Sequence, residues 1–176
     1  MATAKSSTRL DVIEKISKVL IDQKIYNTID YVNKKEDYIK QFLYPKLEDM
    51  LKAHYLAEGV QESTADKKAE HALIWEGDKK QTLHNITMFG TLHRPDMQID
   101  IDGISIAVEV KKGDNGSSIR DGFGQCLVYE SHYDFVVFLF IDTSPDKKIL
   151  NSIKGDKEVK MIDQLWDNHN TRALFV

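Results

Sequence analysis

The sequence predicts a single-domain α/β protein in which a mixed β-sheet is flanked by helices. Its 176 residues are the size of one ordinary domain. The apolar run 135–141 (FVVFLFI) contains no polar residue, which is typical of a central strand covered on both faces. A helix over 118–131 would join a preceding hairpin to this strand as a right-handed crossover.

Composition narrows the class of protein further. Hydrophobic residues make up 41% of the chain and charged residues 30%, which indicates a globular domain. The net charge of -4 excludes a globally basic nucleic-acid coat, but local patches and bound cations still allow a nucleic-acid enzyme. With one cysteine, no apolar leader and no run near the roughly 20 residues of a membrane span, we expect a cytoplasmic protein without a membrane partner.

The N-terminal half is predicted to be helical. Apolar spacing indicates helices over 10–22 and 34–57, the second with a kink or break near 42–44 because Pro45 lies inside it. Asn33 and Glu36 have the spacing of a capping box. We divide the chain into an N-terminal helical segment, 1–35, and a core, 36–176.

The remaining elements alternate between strands and helices. A helix near 65–75 competes with a strand at 71–76. Beyond it we expect strands at 84–89, 96–101, 104–111, 135–141 and 172–176 and helices at 118–131, capped by Ser117 or Ser118, 146–153 and 157–168.

The most informative segment is a hairpin with the two-residue turn Asp102-Gly103. Counting outward from this turn pairs Ile101 with Ile104 and places Asp96 opposite Glu109, with Cβ atoms about 4.5–5.5 Å apart. One face of the hairpin is then wholly apolar, as a core requires, and consists of Met97, Ile99, Ile101, Ile104, Ile106 and Val108.

The polar face of this hairpin has the parts of a metal site. Two opposed carboxylates destabilise a hairpin unless a cation compensates, and oxygen ligands suit Mg²⁺ or Mn²⁺. Lys111, two residues after Glu109 on the same face, could stabilise negative charge on a nucleophile or phosphate. The alternative is that Asp96, Glu109 and Lys111 form an ordinary solvated face.

Three short motifs carry a resemblance to a known family. Pro95-Asp96 is followed by Glu109-Val110-Lys111, and Gln125 and Tyr129 stand four apart in the predicted crossover helix. Together they resemble the PD-(D/E)XK nuclease superfamily with its restriction-endonuclease-like fold. The Q-x-x-x-Y motif resembles the branch that includes the nuclease domains of type I restriction motor subunits. The resemblance covers about residues 84–142.

The resemblance implies a nuclease that depends on Mg²⁺ or Mn²⁺ and acts on nucleic acid, with DNA the expected substrate. Asp96 and Glu109 would bind the metal together with the carbonyl of Val110, and Lys111 would orient or activate the attacking water. Gln125 and Tyr129 would position Lys111 or contact the nucleic-acid backbone. The alternative for this last pair is plain helix packing.

The family usually adds an acidic residue from its first core helix, and Glu36 is our first choice as a further metal ligand. It extends the inward apolar stripe of the predicted helix 34–57. Glu62 and Glu70 compete with it should the later helix be the core one. A capping role beside Asn33 is the other interpretation of Glu36.

Two further functions stay open. One is a non-catalytic nucleic-acid-binding or regulatory module on the same fold, and the other is a protein-interaction domain. The chain could act as a homodimer or as a subunit of a larger complex. Lys79-Lys80 and Lys147-Lys148 are candidate contacts for a nucleic-acid backbone, although charge runs are commonly solvated surface.

Overall fold

The structure, a computed structural model, describes residues 7–77 and 83–176. Its helices are α1 (Ser7–Leu20), α2 (Gln23–Tyr26), α3 (Glu36–Ala57), α4 (Glu62–Ala72), α5 (Gly116–Tyr129), α6 (Lys148–Ser152) and α7 (Asp156–His169). Its strands are β1 (Leu73–Trp75), β2 (Ile86–Met88), β3 (Thr91–His93), β4 (Met97–Ile101), β5 (Ile104–Gly113), β6 (Phe135–Asp142) and β7 (Thr171–Phe175). A 3-10 turn, Pro145–Lys147, precedes α6.

Five strands form one mixed sheet in the order β1-β4-β5-β6-β7. The pairs β1–β4 and β4–β5 are antiparallel, whereas β5–β6 and β6–β7 are parallel. Helix α5 makes the crossover between β5 and β6, as the sequence predicted. The predicted fold class, a mixed sheet flanked by helices, is therefore confirmed.

The hairpin register also agrees with the prediction. Ile101 pairs with Ile104, and Met97 pairs with Val108 at the other end of β4. Asp102 and Gly103 in the turn have φ values of 52° and 73°, the left-handed conformation that this tight turn requires. Asp96 and Glu109 are the next residues outward from the last paired positions.

Each face of the sheet is covered by a different set of helices. On the first face, the apolar sides of α1, α3 and α4 pack against alternate residues of β4, β5 and β6 in one continuous core. On the second face, α5 packs on Ala107, Phe138 and Phe140. Every residue of β6 is buried, which explains its unbroken apolar run.

Two features of α3 differ from the sequence expectation. The helix runs through Pro45 without a break. Pro45 lies on the exposed side, so the leucines before and after it stay fully buried and hold the helix against the core. The capping box predicted for Asn33 and Glu36 is wrong, since Lys35 is the N-cap residue. Asn33 instead bonds to Asp30.

Other boundaries shift by a few residues. Both alternatives near 65–76 occur in succession, because α4 ends at Ala72 and β1 begins at Leu73. Asn115, not Ser117 or Ser118, caps α5 by accepting a hydrogen bond from the Ser117 amide. The strand predicted at 84–89 is the first arm of a separate two-stranded hairpin, β2–β3. Lys79-Lys80 lies outside the described residues.

Across residues 7–77 and 83–176, no helix combines the length and apolar character that crossing a membrane requires.

Candidate nuclease-type site

The Asp96 side chain is held at the edge of β5, directly before β4 begins at Met97. Its Oδ2 accepts a hydrogen bond from the Val110 backbone N–H at 2.7 Å. This N–H lies beyond the last ladder pair, so the carboxylate takes the place of a strand partner. Asp96 is 8% exposed, and the amide of Glu76 donates to its carbonyl at 3.0 Å.

A second carboxylate binds the same edge two residues further along. The Lys112 backbone N–H donates to Glu36 Oε1 at 2.9 Å. Backbone groups two residues apart on a strand repeat at about 6.6 Å and point to the same side. The N–H and C=O of one strand residue also point to the same side, so the Val110 carbonyl faces the edge that carries Asp96 and Glu36.

Glu109 and Lys111 form a close ion pair on β5. Lys111 Nζ lies 2.6 Å from Glu109 Oε1, and Glu109 is 2% exposed. Burial raises the pKa of Glu109 to about 7, and the nearby Asp96 charge adds to the rise, while Lys111 and Tyr129 oppose it. Burial works to lower the pKa of Lys111, but the charges of Glu109, Asp96 and Glu36 outweigh it, so that this pKa rises.

Tyr129 joins this pair from helix α5. Its hydroxyl donates to the Arg94 carbonyl at 2.8 Å and lies within hydrogen-bonding reach of Glu109. Tyr129 is fully buried, and burial raises the pKa of its phenol, followed by the charge of Glu109. Tyr129 therefore connects Glu109 to the segment that leads into Asp96. Gln125 is half-buried, and its buried Oε1 has no hydrogen-bond partner among residues 7–77 and 83–176.

Gly122 allows α5 to approach the site closely. A Cβ atom at this position would clash with the Phe138 ring and lie 3.2 Å from Lys111 Cγ. The aliphatic part of the Lys111 side chain therefore crosses α5 at Gly122. Gly122 precedes Tyr129 by seven residues, two helical turns, which puts both on the face of α5 that meets the sheet. Gly122 is not among the site residues predicted from the sequence.

Lys40 is the second residue that the sequence analysis missed. It is 3% exposed, and its ammonium donates to Asp96 Oδ1 at 2.8 Å. The same ammonium lies 2.8 Å from Asp37 Oδ1 and 3.4 Å from Glu76 Oε2. The signal was present in the sequence, because Lys40 follows Ile39 in the inward stripe of α3, where a charged residue needs a buried partner.

Of the three candidate upstream glutamates, Glu36 is the one whose contacts place it beside the site. Besides its bond to the β5 edge, its charge acts on Lys111. Glu62 is exposed and bonds Lys52, which lies sixteen residues further along α3, or about 24 Å from Glu36. Glu70 is half-buried on α4. A metal-ligand role for Glu36 stays a prediction.

The donor groups around the β5 edge are of the kind that hard divalent cations prefer. Carboxylates of Asp96, Glu109 and Glu36 and the carbonyl of Val110 are all oxygen ligands, so the set fits Mg²⁺ or Mn²⁺ in kind. Asp96 is paired with Lys40, and Glu109 is paired with Lys111. The carboxylate oxygens of Asp96, Glu109 and Glu36 do not all lie within 4.8 Å of one another.

A different group does converge in this way. Ligand atoms of His54, Glu58 and Asp102 lie within 4.8 Å of one another. The group lies at the turn end of the hairpin, where His54 Nε2 is 2.8 Å from Asp102 Oδ2 and 3.4 Å from Glu58 Oε1. Lys15 Nζ approaches His54 Nδ1 at 3.4 Å, so hydrogen bonds and a counter-charge already satisfy this group. It ties α3 to the hairpin turn.

Comparison with known proteins gives a distant structural similarity. No protein-family model matches the chain, and no curated protein matches it. Among solved structures, the chain is similar to a restriction endonuclease PspGI–substrate DNA complex. The identity is 14%, the TM-score is 0.28, and the match covers 92% of this chain and 88% of that chain.

The class of fold follows from the topology itself. An antiparallel hairpin carries Asp96 and the Glu109-Val110-Lys111 segment, a helix crosses over, and an apolar strand returns parallel to the hairpin. This mixed α/β arrangement is consistent with the restriction-endonuclease-like fold expected from the motifs. Assignment to the narrower Q-x-x-x-Y branch stays a prediction.

Proposed function

We propose that this chain is a divalent-metal-dependent nuclease that hydrolyses phosphodiester bonds in DNA. The observation that carries the proposal is the β5 edge, where Asp96 and Glu36 accept the Val110 and Lys112 N–H groups beside the Glu109–Lys111 pair. DNA as the substrate rests on the motif resemblance. Mg²⁺ or Mn²⁺ is the expected cofactor.

In this proposal, each residue of the site has a distinct chemical role. Asp96, Glu109 and the Val110 carbonyl would hold the metal, with Glu36 as a further ligand. When bound there, such an ion supplies Lewis-acid stabilisation of a phosphate oxygen and a more acidic water. The Lys111 ammonium, already in the site, stabilises negative charge on the attacking oxygen and on the phosphate as that charge develops. Tyr129 keeps Glu109 oriented by lying beside its carboxyl group.

The direct test is cleavage of plasmid and single-stranded DNA with Mg²⁺ or Mn²⁺, and again in EDTA. Lys111→Ala should lower the rate by about 10² to 10⁴-fold, because it removes the ammonium that would stabilise negative charge on the reacting oxygens. Lys160→Ala removes an exposed lysine on α7 and should cleave like the wild type. Circular dichroism checks that both variants fold.

Equal cleavage by the wild type and Lys111→Ala would refute the assigned site. Cleavage that persists unchanged in EDTA would refute the metal dependence. An inactive wild type that binds DNA would leave the fold in place and favour the second candidate function.

That second candidate is a non-catalytic nucleic-acid-binding or regulatory module. The observation in its favour is charge pairing, since Lys40 pairs with Asp96 and Lys111 pairs with Glu109 without a metal. Such a module would bind DNA equally well with and without divalent cations. Titration of labelled DNA in Mg²⁺ and in EDTA therefore separates the two functions.

A further inference from the structure

Lys40 places a positive charge against the acid that the proposed nuclease would use for its metal. Its side chain is 4% exposed, and its ammonium lies 2.8 Å from Asp96 Oδ1. The other oxygen of Asp96 accepts the Val110 N–H. Both oxygens of this carboxylate therefore have a partner in the structure as it stands.

A divalent cation and the Lys40 ammonium compete for the same electrostatic position. Like charges about 4 Å apart repel each other, and the repulsion is stronger in a partly buried site than in bulk water. While Lys40 donates to Asp96 Oδ1, that oxygen binds a metal ion less tightly. A metal ion can therefore bind at Asp96 in two ways. Either Lys40 moves away, or it stays in place and the metal binds more weakly.

The structure provides a second place for the ammonium. Asp37 Oδ1 lies 2.8 Å from Lys40 Nζ and Glu76 Oε2 lies 3.4 Å from it. The side chains of Asp37 and Glu76 are 72% and 44% exposed, so these acids lie on the solvent side of the lysine. Lys40 can leave Asp96 and still keep two ion-pair partners.

We propose that Lys40 is a tethered cation that holds Asp96 when metal is absent and sets the affinity of the site for Mg²⁺ or Mn²⁺ by competing with it. This inference rests on the proposed function, because it assumes a metal at Asp96. Lys40 acts through Asp96 and is a positioning residue. Its role is to keep the buried acid neutralised and oriented until the metal concentration is high enough to displace it.

The experiment measures Mn²⁺ binding by calorimetry and the Mn²⁺-induced rise in melting temperature, without substrate. Lys40→Met should bind Mn²⁺ about tenfold more tightly than the wild type, because the competing charge is gone. Lys35→Met is the matched control, since Lys35 is exposed at the N-terminus of the same helix. It removes the same charge at a position for which the structure shows no bond to Asp96 and should change the affinity by no more than about twofold.

Unchanged or weaker Mn²⁺ binding by a folded Lys40→Met protein would overturn the inference and show that Lys40 only supports the site. Glu109→Gln separates this failure from failure of the proposed function. If the wild type binds Mn²⁺ and Glu109→Gln does not, the metal site stands whatever Lys40 does. If neither the wild type nor Lys40→Met binds Mn²⁺, the proposed metal site and the Lys40 inference both fail.

Asp37→Asn decides the question if Lys40→Met does not fold. Asp37 is largely exposed and offers Lys40 an alternative partner, so its loss should keep the ammonium on Asp96. Mn²⁺ binding should then weaken by about threefold or more, because the ammonium stays against the acid that would bind the metal. Binding equal to that of the wild type would contradict competition by Lys40.

Discussion

At the scale of single residues, Glu109 shows how the fold changes the chemistry of a side chain. The sequence places it opposite Asp96 in a hairpin, where either carboxylate could be solvated. In the structure Glu109 is 2% exposed and its pKa is raised to about 7, first by burial and then by Asp96. A carboxyl group in this condition gains from a proton or from a cation, and Lys111 provides only part of that compensation.

This shift predicts how stability varies with pH in the absence of metal. The pKa of Glu109 is about 7 in the folded chain against an ordinary value of 4.5, so protonated Glu109 stabilises the fold below pH 4.5. That contribution is lost as the pH rises through 7, by up to about 3 kcal/mol. Urea denaturation in EDTA at pH 5 and pH 8 should show the loss in the wild type.

Glu109→Gln supplies the control, because glutamine has the same shape and no proton to lose. Its free energy of unfolding should change less between pH 5 and pH 8 than that of the wild type. The same pH dependence in both proteins would show that another group is responsible.

At the scale of elements, helix α5 and strand β5 form one functional unit. Tyr129 reaches Glu109 from the helix, and Lys111 crosses the helix at Gly122. The glycine is needed here for close approach, because its side-chain position is already filled by Phe138. Helix propensity alone disfavours glycine, so its presence reflects packing against the sheet.

Two alanine substitutions in α5 test this account. Gly122→Ala should destabilise the protein by about 1–3 kcal/mol, because the new methyl group overpacks against Phe138 and displaces Lys111. Gly124→Ala, two residues along the same helix, meets no atom within 4 Å and should stabilise by about 0.5–1 kcal/mol. Thermal or urea unfolding measures both, and DNA cleavage by Gly122→Ala should fall as well. Equal stability of the two variants would contradict the close packing.

At the scale of the whole molecule, the N-terminal helix shares its core with the sheet. Val12, Ile13 and Ile16 of α1 belong to the same buried cluster as the leucines of α3 and the apolar face of the hairpin. Arg9 of α1 also reaches Asp134, just before β6, at 3.4 Å. The segment 1–35 and the core 36–176 are therefore expected to unfold together.

A matched pair of substitutions tests this cooperativity. Ile16→Ala removes a fully buried side chain and should cost about 2–5 kcal/mol, whereas Ile21 is 39% exposed and its change to alanine should cost about 1 kcal/mol or less. Circular dichroism and the fluorescence of Trp75 and Trp166 should report one coincident transition in urea. A fluorescence transition that Ile16→Ala leaves unmoved would show that α1 unfolds on its own.

The hairpin, its register and the crossover to β6 could all be predicted from local patterns of residues. A two-residue turn and strict alternation of apolar residues allow only one pairing that buries a whole face, and the apolar run 135–141 fits only a strand covered on both sides. Each of these patterns lies within one short segment, so it can be interpreted without knowing how distant parts of the chain pack. Resemblance to the nuclease superfamily rested on the same segment.

The surroundings of the acids could not be predicted in this way, because they depend on contacts between distant segments. Lys40 reaches Asp96 across 56 positions of sequence, and Glu36 reaches the Lys112 amide across 76. Such contacts depend on how α3 lies over the end of β5, which is set by packing of the whole apolar stripe. The stripe also carries α3 through Pro45 unbroken, because burial of leucines on both sides outweighs one lost backbone hydrogen bond.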